Sequence, residues 1–108
     1  MLLTEGLAEK LQQNIDVVNT AGLTAVVQFE ITDAGNGYLS VDSGRCQFFD
    51  GDHVQPDVTI AMNADTLFDI IEGRLSGMQG FMFGRVSAVG DQRLAAKLDR
   101  FFKKQKYS

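Results

Sequence analysis

Between residues 23 and 62 the chain runs through four period-two segments separated by turn chemistry, and this limits the folds open to it more than any other feature. In residues 23–32, Val27, Phe29 and Ile31 alternate with Gln28 and Glu30. Successive side chains of a strand point to opposite faces, so this alternation marks one buried face and one wet face. Asp33-Ala34-Gly35-Asn36-Gly37 then supplies residues that reverse a chain. Residues 38–43 alternate again, with Leu39 and Val41 against Ser40 and Asp42, until Gly44 breaks the pattern. Residues 45–49 form a third short strand closed by Asp50-Gly51-Asp52. Hairpin-linked strands pair antiparallel. After Pro56, the only proline, Val58, Ile60 and Met62 alternate with Asp57, Thr59 and Ala61 in a fourth strand.

Helical spacing flanks this block. Leu7, Leu11, Ile15 and Val18 share one helix face, with Thr4 as the cap and Gly22 as the stop. Asn63 caps a second helix, Asp65 lies in its first turn, and Leu67, Phe68, Ile70, Ile71 and Leu75 form its apolar face. Residues 77–84 set Gly77, Gly80 and Gly84 among Met78, Phe81, Met82 and Phe83, which predicts a short helical turn bounded by glycines. Residues 85–89 read as a fifth strand. Gly90-Asp91 opens a last helix whose apolar face is Leu94, Leu98, Phe101 and Phe102. Strands in a run, not alternating with helices, predict an α+β fold: a five-stranded, mainly antiparallel sheet with helices packed on one face. A chain of 108 residues leaves room for one hydrophobic core, hence a single domain over 1–108.

The net charge is −4, unevenly spread: residues 1–54 carry two Lys/Arg against eight Asp/Glu, and residues 55–108 carry eight against six. The one basic cluster is Arg100, Lys103, Lys104 and Lys106. An acidic chain lacks the clustered cations that phosphate backbones require, so no nucleic-acid partner is expected. Cys46 is the only cysteine, and one thiol cannot form an internal disulfide. The N-terminus has no basic segment followed by an apolar one, and no stretch approaches the length of a membrane span. A cytoplasmic protein is the expectation. Eight Phe, four Met and no Trp give soft apolar bulk with few polar handles.

No residue set argues for catalysis. Asp50, Asp52 and His53 can be read as a metal cluster or as a solvated turn, and their spacing matches no standard zinc or calcium loop. Arg45 beside Cys46 would favour a thiolate, but a small apolar residue in a strand explains Cys46 as well. The acidic residues fall on polar faces and turns, with no pair placed for acid–base work. Gly35 and Gly37 lead into a strand and lack the third glycine of a dinucleotide loop. The expectation is a protein that is not an enzyme and uses no cofactor or metal.

Three stretches, in order, carry a family resemblance: Pro56-Asp57-Val58-Thr59-Ile60-Ala61-Met62; Phe68-Asp69-Ile70-Ile71-Glu72-Gly73-Arg74-Leu75; and Gly80-Phe81-Met82-Phe83-Gly84-Arg85-Val86-Ser87-Ala88-Val89-Gly90-Asp91. Together they resemble the sterol carrier protein type 2 family. The resemblance implies an SCP2-like apolar tunnel between sheet and helices, with sterols, fatty acyl chains, acyl-CoA or isoprenoids as ligands. It implies non-catalytic lipid binding and transfer. The alternative is an accessory or scaffold domain that presents a polyprenyl or quinone-like intermediate to a biosynthetic complex. Two departures stand out. Lys106-Tyr107-Ser108 is not a peroxisomal address. Phe83 stands where the family often has a polar residue, so a partly plugged tunnel is expected.

The expected walls are Val27, Phe29, Ile60 and Met62 from the sheet, closed by Phe68, Ile71, Phe81, Met82, Leu98, Phe101 and Phe102. Ordinary core packing explains the same residues. Gly80 and Gly84 read either as the ends of a moving gate or as plain turn geometry. The basic end of the last helix, with Arg100, Lys103, Lys104 and Lys106 beside Phe101, Phe102 and Tyr107, suits transient contact with an anionic membrane or simple complementation of the helix dipole.

Overall fold

The computed structural model describes residues 9, 13, 14, 22–98 and 102. Five strands are present: β1 (Thr24–Ile31), β2 (Gly35–Asp42), β3 (Arg45–Asp50), β4 (Val58–Met62) and β5 (Ser87–Gly90). Among the described residues 22–98, three helices accompany them: α1 (Ala64–Ile71), α2 (Gly77–Met82) and α3 (Gln92–Ala96). Glu9 and Gln13 are helical, while Leu7, Leu11, Ile15 and Val18 of the expected first helix lie outside the described residues. So do Phe101, Arg100, Lys103, Lys104 and Lys106.

The two hairpins follow from local chemistry. The turn between β2 and β3 has only two residues, Ser43 and Gly44, both at positive φ (48° and 91°). Positive φ at both central positions gives the turn a twist that matches paired strands. With this turn, Val41 faces Cys46 and Leu39 faces Phe48. The turn after β1 sets Val27 against Leu39 and Phe29 against Gly37.

The sheet order is β3-β2-β1-β4-β5. Three of its four pairings are antiparallel, and β1–β4 is parallel, so the sheet is mixed. Instead of continuing the meander beyond β3, β4 crosses back to the open side of β1. Two side chains fix that crossing. The Val26 N–H donates to Asp57 Oδ2 (2.7 Å), and the Asp57 N–H donates to the Val26 carbonyl (2.9 Å). Gln28 is buried although it sits on the sheet's outer side. Its Nε2 donates to the carbonyls of Gly37 and Gly51 (both 3.0 Å), and its Oε1 accepts from the His53 N–H (2.8 Å). A buried amide is tolerated when its donors and acceptor are matched, and here it holds the crossing segment against the outer face. His53 also meets the edge of the Tyr38 ring, which stacks on Phe49 at 5.1 Å.

The other face carries the core. Ala25, Val27, Phe29 and Ile31 from β1, Leu39 and Val41 from β2, and Val58, Ile60 and Met62 from β4 form one cluster with Leu67, Ile70 and Ile71 of α1, Leu94 and Ala95 of α3, and Leu98 and Phe102. Each fully buried side chain of this kind contributes about 1.5–3 kcal/mol. Asn63 caps α1 by accepting the Thr66 N–H at 2.9 Å, as its sequence position predicts.

At the far edge, Gly90 sits at φ 115°, and a Cβ added there would lie 2.6 Å from the Asp57 carbonyl oxygen. Gly90→Ala therefore meets both a left-handed backbone and a collision with backbone. It is expected to cost about 2–3 kcal/mol and to lower the thermal midpoint by roughly 10 °C in a melting experiment.

Candidate functional site

The geometry of α2 is dictated locally. Ser76 caps it with a reciprocal box: its Oγ accepts the Gln79 N–H (3.0 Å), and Gln79 Oε1 accepts the Ser76 N–H (2.9 Å). Gly80 lies against Val86, where an added Cβ would sit 2.5 Å from Val86 Cγ2. The Arg85 and Val86 N–H groups both donate to the Gly80 carbonyl (2.8 and 3.1 Å). Gly84 takes φ 73° after the helix. These two glycines thus answer a close approach and a left-handed turn, the plainer of the two sequence readings.

Held this way, α2 turns Phe81 toward the core, where it packs partly buried. Met78, Met82 and Phe83 face outward, at 56%, 74% and 66% exposure. On the other side, Asp91 caps α3 through the Arg93 and Leu94 N–H groups (3.0 and 3.2 Å). Leu94 and Ala95 are buried, while Gln92 and Ala96 turn toward α2. Between the helices opens an apolar pocket of about 190 Å³, lined by Met78, Phe81, Gln92 and Ala96.

The structure divides the eleven expected wall residues. Val27, Phe29, Ile60, Met62, Ile71, Leu98 and Phe102 are buried in one cluster, and Phe68 and Phe81 pack against it partly buried. Phe101 lies outside the described residues. Met82 is corrected: its outward position on α2 removes it from any interior wall. The expected plug at Phe83 is corrected too, because as the C-cap residue of α2 its ring stands in solvent. Sequence reasoning missed Met78, Gln92 and Ala96. Met78 and Phe81 are three residues apart and Gln92 and Ala96 four, the spacings of helix neighbours, but no rule assigned a polar and a small residue to an apolar opening.

A second, polar groove of about 400 Å³ is lined by Thr32, Ala61, Met62, Asn63, Thr66, Gly84, Arg85 and Ser87. Its cation is already engaged. Arg85 Nη2 donates to Asp69 Oδ2 (2.8 Å) and Nε to Thr66 Oγ1 (3.1 Å). Asp69 Oδ1 also accepts from Arg74 Nε (3.0 Å), and Arg74 bonds Glu72 as well. The Arg85 hydrogen bond, then that of Arg74, holds the Asp69 carboxyl below the usual carboxylate range. This network ties the turn after α2 to α1.

The acidic loop is likewise spent on structure. Asp52 Oδ1 accepts from Asn36 Nδ2 (2.9 Å), and His53 Nδ1 accepts the Gln55 N–H (3.0 Å). Among the described residues no three His, Cys, Asp or Glu side chains gather closely enough to hold a metal ion. Cys46 packs on the core side of β3 and His53 on the outer side of the sheet, so they form no nucleophile–base pair.

A mixed sheet in this order, helices over one face and an apolar mouth between α2 and α3 define the class as an α+β domain of the sterol carrier protein 2 fold. The fold is similar to that of the inverting sec-alkylsulfatase Pisa1 from Pseudomonas sp. (TM-score 0.75, 19% identity, 91% of this chain). This chain spans only 16% of that enzyme's length. It is also similar to palmitated SCP2L2 from Aedes aegypti in solution (TM-score 0.66, 23% identity, 96% of this chain and 94% of that one). A third likeness is to the ubiquinone synthesis protein UbiJ-SCP2 (TM-score 0.62, 12% identity, 91% and 78%). The family model of the SCP-2 sterol transfer family matches residues 7–103, and the chain belongs to that family. No curated protein matches the sequence significantly. No helix among the described residues is long and apolar enough to cross a membrane.

Asp69 gives a prediction with a definite sign. Its native carboxyl is lowered, so the stability it lends is complete above the unfolded-state value of about 3.9 and fades as pH falls through the lower native value. The ion pairs are partly exposed, so Asp69→Asn should cost less than about 1 kcal/mol at neutral pH. That difference should hold down to about pH 4 and shrink as the pH falls further, when urea midpoints of the two proteins are compared across acid pH.

Proposed function

We propose that the chain binds and transfers a long-chain apolar lipid, fatty acyl, sterol-like or isoprenoid, without chemical change. The observation that carries this reading is the apolar mouth at Met78, Phe81, Gln92 and Ala96, with Phe81 joining it directly to the core cluster. Membership of a sterol transfer family and the likeness to a palmitated relative support it.

Hydrocarbon enters beside Phe81 and lodges among Phe68, Ile71, Leu98, Phe101 and Phe102, over the sheet residues Val27, Phe29, Ile60 and Met62. The mouth is smaller than the roughly 300–1,000 Å³ of a complete small-molecule site, so the guest takes its remaining room by displacing the helical layer outward. A chain of about 16 carbons gains on the order of 12 kcal/mol on burial. Ordering the guest takes back several kcal/mol. What is left reaches the roughly 8 kcal/mol of a micromolar complex without any polar contact. Specificity is correspondingly broad. The basic end with Arg100, Lys103, Lys104 and Lys106 assists loading at an anionic membrane, at about 1 kcal/mol per cation. A cytoplasmic site of action suits the single cysteine.

The likeness to a ubiquinone synthesis protein favours a second reading, in which the domain presents an isoprenoid intermediate to partner enzymes. A protein partner recovered in fixed stoichiometry by affinity capture, and lost when the pocket is filled, would select that reading.

Titration with a fluorescent fatty-acid analogue, with displacement by palmitate, tests the proposal. Saturable micromolar uptake is expected. Ala96→Trp fills the mouth from an exposed position and should weaken uptake about tenfold or more, equivalent to ~1.4 kcal/mol, with an unchanged melting temperature. A wild-type protein that takes up no analogue overturns the reading.

A further inference from the structure

Three of the large apolar side chains left in solvent among the described residues, Met78, Met82 and Phe83, belong to α2 and its C-cap. Met78 and Met82 are four residues apart and share a helix face, and Met78 also lines the apolar mouth. The opposite bank is α3. There Gln92 and Ala96 face the mouth, and the residue after each, Arg93 and Lys97, lies on the neighbouring stripe, exposed and without an ion pair among the described residues. Arg74 and Arg85, by contrast, are occupied by Asp69 and Glu72. Residues 77–98 contain one acid, Asp91, and its carboxylate is bound to backbone N–H groups.

We infer that these two lips, Met82 and Phe83 on one side and Arg93 and Lys97 on the other, dock the mouth of the pocket on the anionic surface of a lipid bilayer. The inference rests on the lipid-carrier reading, since docking there would deliver the guest straight into the mouth. Charge selects the occupant. The chain as a whole carries −4 and is repelled by anionic lipid, so cations beside the mouth that have no ion pair among the described residues orient the approach. Flexible thioethers and one ring suit the disordered boundary between headgroups and acyl chains. A second copy of the chain fits less well. A two-fold pairing of this surface would bring Arg93 and Lys97 near their own counterparts, and three side chains fall far short of the roughly 800 Å² per partner of a stable interface.

The sequence contains no Trp, so Phe83→Trp places the sole indole on the lip. Its emission should shift to the blue with mixed phosphatidylcholine–phosphatidylglycerol vesicles and stay unchanged with pure phosphatidylcholine. In flotation with the mixed vesicles, the double variant Arg93→Glu/Lys97→Glu should lose at least 25-fold in partition, at roughly fivefold per cation. Met82→Ser/Phe83→Ser should lose about tenfold by removing inserted apolar area. Both double variants should take up the fluorescent fatty-acid analogue from solution like the wild type, because these four residues lie outside the pocket. An indole that does not respond, wild-type flotation of both variants, a blue shift produced by self-association without vesicles, or loss of uptake from solution would each overturn the docking assignment. A wild type that floats as described yet takes up no analogue leaves docking standing and defeats the carrier reading instead.

Discussion

The rest of the structure depends on the parallel pairing of β1 with β4. Without it the first three strands are a meander with an open edge, and the helical layer has no sheet wide enough to cover. The pairing needs a crossing segment, and that segment is secured by two polar side chains. Asp57 closes a two-way hydrogen-bonded link with Val26. Gln28 matches its donors and acceptor against Gly37, Gly51 and His53. A lost partner at a buried amide costs about 1–3 kcal/mol, comparable with a large core side chain. The apolar core on one face is thus held in register by a polar bracket on the other.

That division explains what could be read before any coordinates. The alternation of Val27, Phe29 and Ile31, and of Leu39 and Val41, named the core face, because burial imposes period two on every residue of a strand. Gly44 marked where the second strand breaks, but alternation carried that strand through Ser43, which the structure places in the turn at positive φ. The parallel register was not legible. Gln28 falls in a wet-side position by alternation, and only the folded loop makes it interior. Nothing in residues 51–57 signals a return to β1, because the contacts that bring it there are 23 or more residues away in sequence.

The site was half legible for a different reason. A lipid-facing wall and a protein core draw on the same side chains, so periodicity finds their union and cannot separate them. Within residues 77–84 eight positions with three glycines hold too little period to orient Phe81 inward and Met82 and Phe83 outward. What settles them is the contact of Gly80 with Val86, a tertiary fact. The mouth owes its existence to a side chain that is nearly missing, Ala96, and a gap leaves no trace in a hydrophobic pattern. The family motif, by contrast, is carried by contiguous runs such as residues 80–91 and survives in plain view.

The two banks of the mouth also differ mechanically. Gly80 presses on Val86, and its carbonyl takes two backbone bonds from Arg85 and Val86, so α2 and the start of β5 behave as one stiff plate, braced further by Arg85 on Asp69. The five-residue α3 is anchored at its beginning, where the Asp91 N–H meets the Asp57 carbonyl, and then by the burial of Leu94, Ala95 and Leu98 in the core. Backbone hydrogen bonds are directional and hold α2 at one distance from β5, whereas apolar packing has no preferred direction, so the spacing of α3 from the sheet is set mainly by the bulk of its buried side chains.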